Sequence, residues 1–441
     1  MFIFVLCFYT TLSWAQSSHE SAWFETSTSG VNVITRARNP MQNITYLEEY
    51  VGGQYIGAFV LSATNGSSFS KIRFISGYRV NDFCIFEDTV YFCGDNRSET
   101  QAIVGKFAAN DIMDASPDKY TYYHPWGYLY LKKIAVFRLA NSSLQCLCIG
   151  KVNIFQTGSP ENCILRTNFQ KDMSNPPLIY YTNFYIGNNN NGLPKEHYSD
   201  IVVSNHHVSI VGYQVGTPNL ILIRRIPLSV PYIGYNNIEL YLCPNTPSSE
   251  MFSSPHAVSM DGDTIAIASL CTRTSGSGYE TRVRFIDISN MKMLHSQSYT
   301  LSGQNDILAM TYVPDIRSVI ISQQLNSDCK IFPLLHNQDY AYDTWGIRHH
   351  NSGCYMGLCT AENKYIVATD GSTWFSKDVS QDPNFVSHGC YVADKQHVDI
   401  ITNLSYVKSS IILSSNPDFF DVKSQKIINR TITKINNCIN P

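Results

Sequence analysis

Residues 82–94 read DFCIFEDTVYFCG, two cysteines set around an acidic turn, with apolar residues crowded between them and a glycine at the end. A metal knuckle or a redox pair would draw its cysteines together as CxxC, and the chain has no such pair. An apolar run, a polar turn and a second apolar run make a β-hairpin by their own chemistry. A two-residue turn at Asp88 and Thr89 pairs Glu87 with Val90 and carries the register back to Cys84 opposite Cys93. Cysteines opposed in such a ladder lie near disulfide range. A staple across the hairpin is one expectation; two buried free thiols are the other.

The hairpin recurs. Residues 200–212, DIVVSNHHVSIVG, have the same length, the same end residues and their apolar positions in register. In residues 257–269, AVSMDGDTIAIAS, Ile265 stands where the other two have Val90 and Val208. Weaker copies lie at 357–369 (GLCTAENKYIVAT), at 390–402 (CYVADKQHVDIIT) and, with a longer turn, at 306–322 (DILAMTYVPDIRSVIIS). Residues 134–150 form another, and YLEEYVGGQYIGAFVLS from Tyr46 a first. Further strands such as LILIRRIPL and RVRFIDIS follow most copies. Helical periodicity is nearly absent; FAANDIMDA, residues 107–115, is short enough to be a turn or a single helical loop.

A hairpin plus one or two outer strands, repeated along nearly all of the chain, resembles a β-propeller. The resemblance implies an all-β fold of about seven four-stranded blades, with six or eight compatible, and an amino-terminal strand that completes the last sheet. No WD series, kelch double glycine or YWTD run narrows the family. Residues 368–374, ATDGSTW, are similar to the Asp-box turn of sialidase-like propellers, with Ala368 where that motif has serine. By that resemblance Asp370 and Gly371 close a hairpin and Trp374 packs beneath it, a structural role remote from catalysis.

The chain has 441 residues, 44% hydrophobic and only 15% charged, with 28 tyrosines and a formal net charge of −3. So weak a basic complement excludes a phosphate-neutralising stripe, and nucleic acid is not an expected partner. An apolar run from Phe2 to Trp14 meets small residues at Ser13 and Ala15, which reads as a signal peptide over residues 1–15, cleaved before Gln16. The run is too short to span a bilayer, so no transmembrane segment is expected after cleavage. Residues 16–441 then form one domain, secreted, periplasmic or attached to the cell envelope. Removing Cys7 with the leader leaves an even number of cysteines, which favours disulfides in an exported chain. Cys84 with Cys93, Cys354 with Cys359, and Cys390 with Cys438 are the candidate pairs.

Two patches stand out as ligand-binding candidates. YYHPWGYLY, residues 122–130, offers Tyr122, Tyr123 and Trp126 as a platform for sugar rings or apolar side chains, against ordinary packing between blades. Trp345, Arg348, His349 and His350 lie in WGIRHHNSGC, a loop able to reach the mouth of a central channel. His206 and His207 fall at a hairpin turn, where polar residues are expected in any case. GxSxG, HExxH and the phosphate-binding glycine loops are absent, and no cofactor or metal is expected. The functional expectation is a binding protein for a glycan or an extracellular protein. The competing class is a propeller glycoside hydrolase or lyase, whose acids would be placed by the fold and not by sequence spacing.

Overall fold

The computed structural model describes residues 21–26, 31–51, 54–63, 69–75, 78–97, 101–109, 118–122, 127–154, 160–167, 178–181, 196–214, 220–233, 237–243, 254–272, 279–299, 304–325, 328–335, 343–344, 347–348, 356–369, 373–380, 394–399, 405–407, 412–413 and 432–435. These residues form seven antiparallel sheets. The innermost strands are Val31–Asn39, Arg79–Phe86, Gly127–Arg138, Glu196–Val203, His256–Ser259, Gln304–Val313 and Gly357–Ala361, and they define blades 1 to 7 in chain order. Each inner strand touches the next, and that of blade 7 touches that of blade 1. The ring is closed, and the fold is a β-propeller.

Closure is also visible in the core, which is divided into clusters lying between neighbouring blades. Phe59 of blade 1 meets Phe83, Phe92 and Phe107 of blade 2, with centroids 5.1 to 5.9 Å apart. Val33 and Leu47 of blade 1 pack with Cys359 and Val367 of blade 7. A blade interior is thus covered on both faces, which is why its second strands, such as Thr89–Asp95 and Thr264–Thr272, read as apolar runs and not as alternating ones.

Blade 7 takes its fourth strand from the other end of the chain: Ser21–Thr26 pairs with Thr373–Asp378, with Phe24 opposite Trp374. The expected amino-terminal closure is present. Beyond it the carboxyl end adds outer strands elsewhere: Asp394–Asp399 to blade 5, Ser405–Val407 to blade 4, Ile412–Leu413 to blade 3 and Ile432–Ile435 to Ser21–Thr26. The copy expected at residues 390–402 is therefore corrected, because its described part is one of these outer strands and not an inner hairpin. The copy from Tyr46 is also displaced: Gln42–Val51 and Gln54–Ala63 are the second and third strands of blade 1. The helical candidate at 107–115 begins as strand, Ala102–Ala108, and residues 110–115 lie outside the described residues.

The opening hairpin has a different register from the one its cysteines suggest. Its turn is Glu87–Asp88, both in the left-handed region at φ 48° and 56°, so Phe86 pairs with Thr89, Cys84 faces Tyr91, and Asp82 faces Cys93. Such a double left-handed turn matches the twist of the two strands. Cys84 and Cys93 lie diagonally on one face, and both are free thiols. Cys359 is also free, its thiol donating to Asn43 Oδ1 at 3.6 Å, so neither the Cys84–Cys93 pair nor a Cys354–Cys359 pair is present. Cys354, Cys390 and Cys438 lie outside the described residues. Around the Asp-box resemblance, Thr369 pairs with Trp374 between adjacent antiparallel strands, and residues 370–372 lie outside the described residues.

Candidate functional site

The glycine that ends the repeated segment is where the channel wall is shaped. In blades 2, 3 and 4 the inner strand carries a bulge, between Val80 and Asp82, Leu131 and Lys133, and Tyr198 and Asp200. Opposite each bulge stands a glycine. A Cβ on Gly94 would lie 1.8 Å from the Arg79 carbonyl oxygen, and one on Gly150 or Gly212 would lie 1.9 Å from that of Tyr130 or His197. Only a residue without a side chain admits so close a backbone. Blade 5, whose copy ends in Ser269, has no such irregularity in its inner pairing.

The residue after each bulge, Asp82, Lys133 or Asp200, points a polar group along the channel wall, and His256 takes the corresponding place in blade 5. Asp82 Oδ1 accepts from Arg36 of blade 1 at 2.8 Å, while its Oδ2 accepts the Ile134 backbone N–H of blade 3 at 3.1 Å. Asp200 repeats the device two blades on: Oδ2 accepts the Ala257 N–H of blade 5 at 3.0 Å, and Oδ1 accepts its own neighbour Ile201 N–H at 3.0 Å and lies 3.8 Å from Lys133 Nζ. Arg36 donates further to the carbonyls of Thr35 and Phe83. These carboxylates are stitches between blades, with cations at their backs.

The cavity they line has a volume of about 1170 Å³ and is bounded by all seven inner strands. Burial raises the Asp200 carboxyl, but Lys133, His256 and the two N–H donors outweigh it, so the group is held below the usual carboxylate range. Burial likewise opposes the charge on Lys133, yet Asp200 and Asp82 leave its ammonium more firmly protonated than a free lysine. Burial pushes the His256 imidazole down to about 4, and it is neutral at pH 7. Asp306 of blade 6, on the same wall, is exposed. Among the described residues no three histidine, cysteine or acidic side chains converge as metal ligands.

The residues singled out in the sequence are placed elsewhere or not at all. Tyr122 ends the outermost strand of blade 2, opposite Ala102, and Arg348 ends that of blade 6, opposite Lys330. Both lie at the upper face, where inner strands begin. Tyr123, Trp126, Trp345, His349 and His350 lie outside the described residues. The channel groups Arg36, Asp82, Lys133 and Asp200 were missed, although Asp82 and Asp200 are the shared first residue of two hairpin copies. That coincidence was the available signal.

No family model matches the chain, and no curated protein matches it. Among solved structures it is similar to the β-propeller domain of the Trilobed protease from Pyrococcus furiosus, described as having an open velcro topology, at 8% identity and a TM-score of 0.40 over 89% of this chain and 99% of that one. It is also similar to an uncharacterized protein of Listeria monocytogenes EGD-e, at 10% identity and a TM-score of 0.32 over 72% of this chain and 97% of that one.

Proposed function

We propose that this propeller is an exported, non-catalytic binding protein that receives a glycan or an extracellular protein segment at its upper face and channel mouth. The observation that carries this reading is the state of the channel carboxylates. Both oxygens of Asp82 and of Asp200 are occupied by backbone N–H groups or cations. A glycosidase needs one carboxyl raised to act as an acid, and Asp200 is shifted the other way. The even number of cysteines left once Cys7 is removed suits an oxidising compartment, and buried thiols persist there because burial keeps them protonated and unreactive. The enzymatic reading draws on Asp82, Asp200 and Asp306 sharing one channel with Arg36.

A glycan array run beside a panel of chromogenic glycosides separates the two readings. Retention of glycans or of a protein ligand with no turnover supports binding. Turnover of any glycoside, lost in Asp306→Asn, overturns it. Amino-terminal sequencing of the exported chain tests cleavage before Gln16.

A further inference from the structure

On the opposite face, where inner strands turn back, the hairpin of blade 4 presents Ser204, His206 and His207 to Asp263 in the turn of blade 5. Asp263 accepts four bonds: from Ser204 Oγ at 2.8 Å, the His206 backbone N–H at 2.9 Å, His206 Nδ1 at 2.6 Å and His207 Nδ1 at 3.3 Å. An ionised carboxylate only accepts, so each imidazole must carry its proton on Nδ1, and in the neutral ring the free lone pair is then on Nε2. Two adjacent histidines are thereby fixed in one tautomer by the two oxygens of one carboxylate.

This is the outer-sphere arrangement that metal-binding histidines use: the far ring nitrogen donates to a carboxylate, which orients the ring and makes the near nitrogen more basic. The His206 side chain is 75% exposed, that of His207 13%, and that of Asp263 13%. The supporting carboxylate is therefore sheltered while an imidazole faces solvent. We propose that His206 and His207 form a binding site for a divalent transition-metal ion, zinc or nickel in class, through Nε2, with Asp263 as the positioning residue and solvent completing the coordination. Two protein ligands and borderline-soft imidazole nitrogen suit these ions and not calcium or magnesium. The site is independent of the channel and of the function proposed for it.

Calorimetric titration of the intact protein with zinc and, separately, nickel chloride tests the assignment. One ion per chain is expected, with no response to calcium. The double variant His206→Ala/His207→Ala loses that ion, and Asp263→Asn, which keeps the shape but weakens the acceptor, lowers affinity about 10- to 100-fold. Nitrogen NMR of the imidazoles should show the Nε2 resonances of both rings moving on zinc addition while Nδ1–H is retained. Unchanged stoichiometry in the double variant, or coordination through Nδ1, overturns the proposal. Circular dichroism melting of each variant separates loss of the site from loss of the fold.

Discussion

At Gly94, Gly150 and Gly212 a single hydrogen in place of a methyl decides whether the inner strand can bulge. Replacing any of them by alanine should cost about 1–3 kcal/mol or more, as overpacking against backbone does, and urea denaturation will measure it. Alanine at Gly262, where φ is +70° and the space is open, should cost only about 1–2 kcal/mol from the left-handed backbone. His256 gives a pH dependence with a definite sign. Its folded pKa of about 4 lies below the ordinary histidine value of 6.5, so its contribution to stability is complete above pH 6.5 and is lost as pH falls from 6.5 towards 4. Stability against pH, compared with His256→Gln, should show the variant flatter across that window. Asp200 adds a second loss at lower pH, because its depressed carboxyl contributes stability above 3.8 that disappears as it is protonated in the fold. The thiols of Cys146 and Cys148, 3.8 Å apart and raised by burial, should resist alkylation in the native protein and react once it is unfolded.

At the level of the hairpin, the aspartate stitches convert separate blades into a ring. Asp82→Ala would leave the Ile134 N–H without its acceptor and take from Arg36 the carboxylate partner of its Nη2, at a cost of about 1–3 kcal/mol. Asp82→Asn keeps one acceptor oxygen and should cost less; paired denaturation curves will rank them. On the turn-back face the same joining is done from turn to turn: Arg38 reaches Asp88, Arg138 reaches Glu87, and Tyr312 reaches Asp261 at 2.6 Å. The repeated hairpin was legible in the sequence because strands covered on both faces must be apolar throughout. Its register was not. Turns at residues 87–88 and 88–89 are equally polar, and the choice is made by Glu87 and Asp88 both taking left-handed backbone, which neither residue type announces. The chain is poor in charged residues, yet some of the charge is inside: Arg224 is buried, pairs with Glu196 at 2.8 Å and lies over the Tyr198 ring.

Across the whole molecule, the seam is blade 7, where residues 21–26 and 373–378 are brought together from opposite ends of the chain. Truncation to residue 27 should therefore open the ring and lower Tm by several degrees or split the melt into two transitions, seen by calorimetry. Cleavage before Gln16 would leave that strand intact. Sequence alone determined that the chain is all-β and that it is built from a recurring hairpin, because strand and turn chemistry is local and repeats; closure by the first strand was implied only by the resemblance the hairpin carries. Tertiary structure decided the register of the opening hairpin, the free state of its cysteines, the return of the carboxyl end along the outer edges, and the channel ring of Arg36, Asp82, Lys133, Asp200 and His256. The last two depend on partners in another blade, and no spacing along one strand records which backbone N–H the next blade will present.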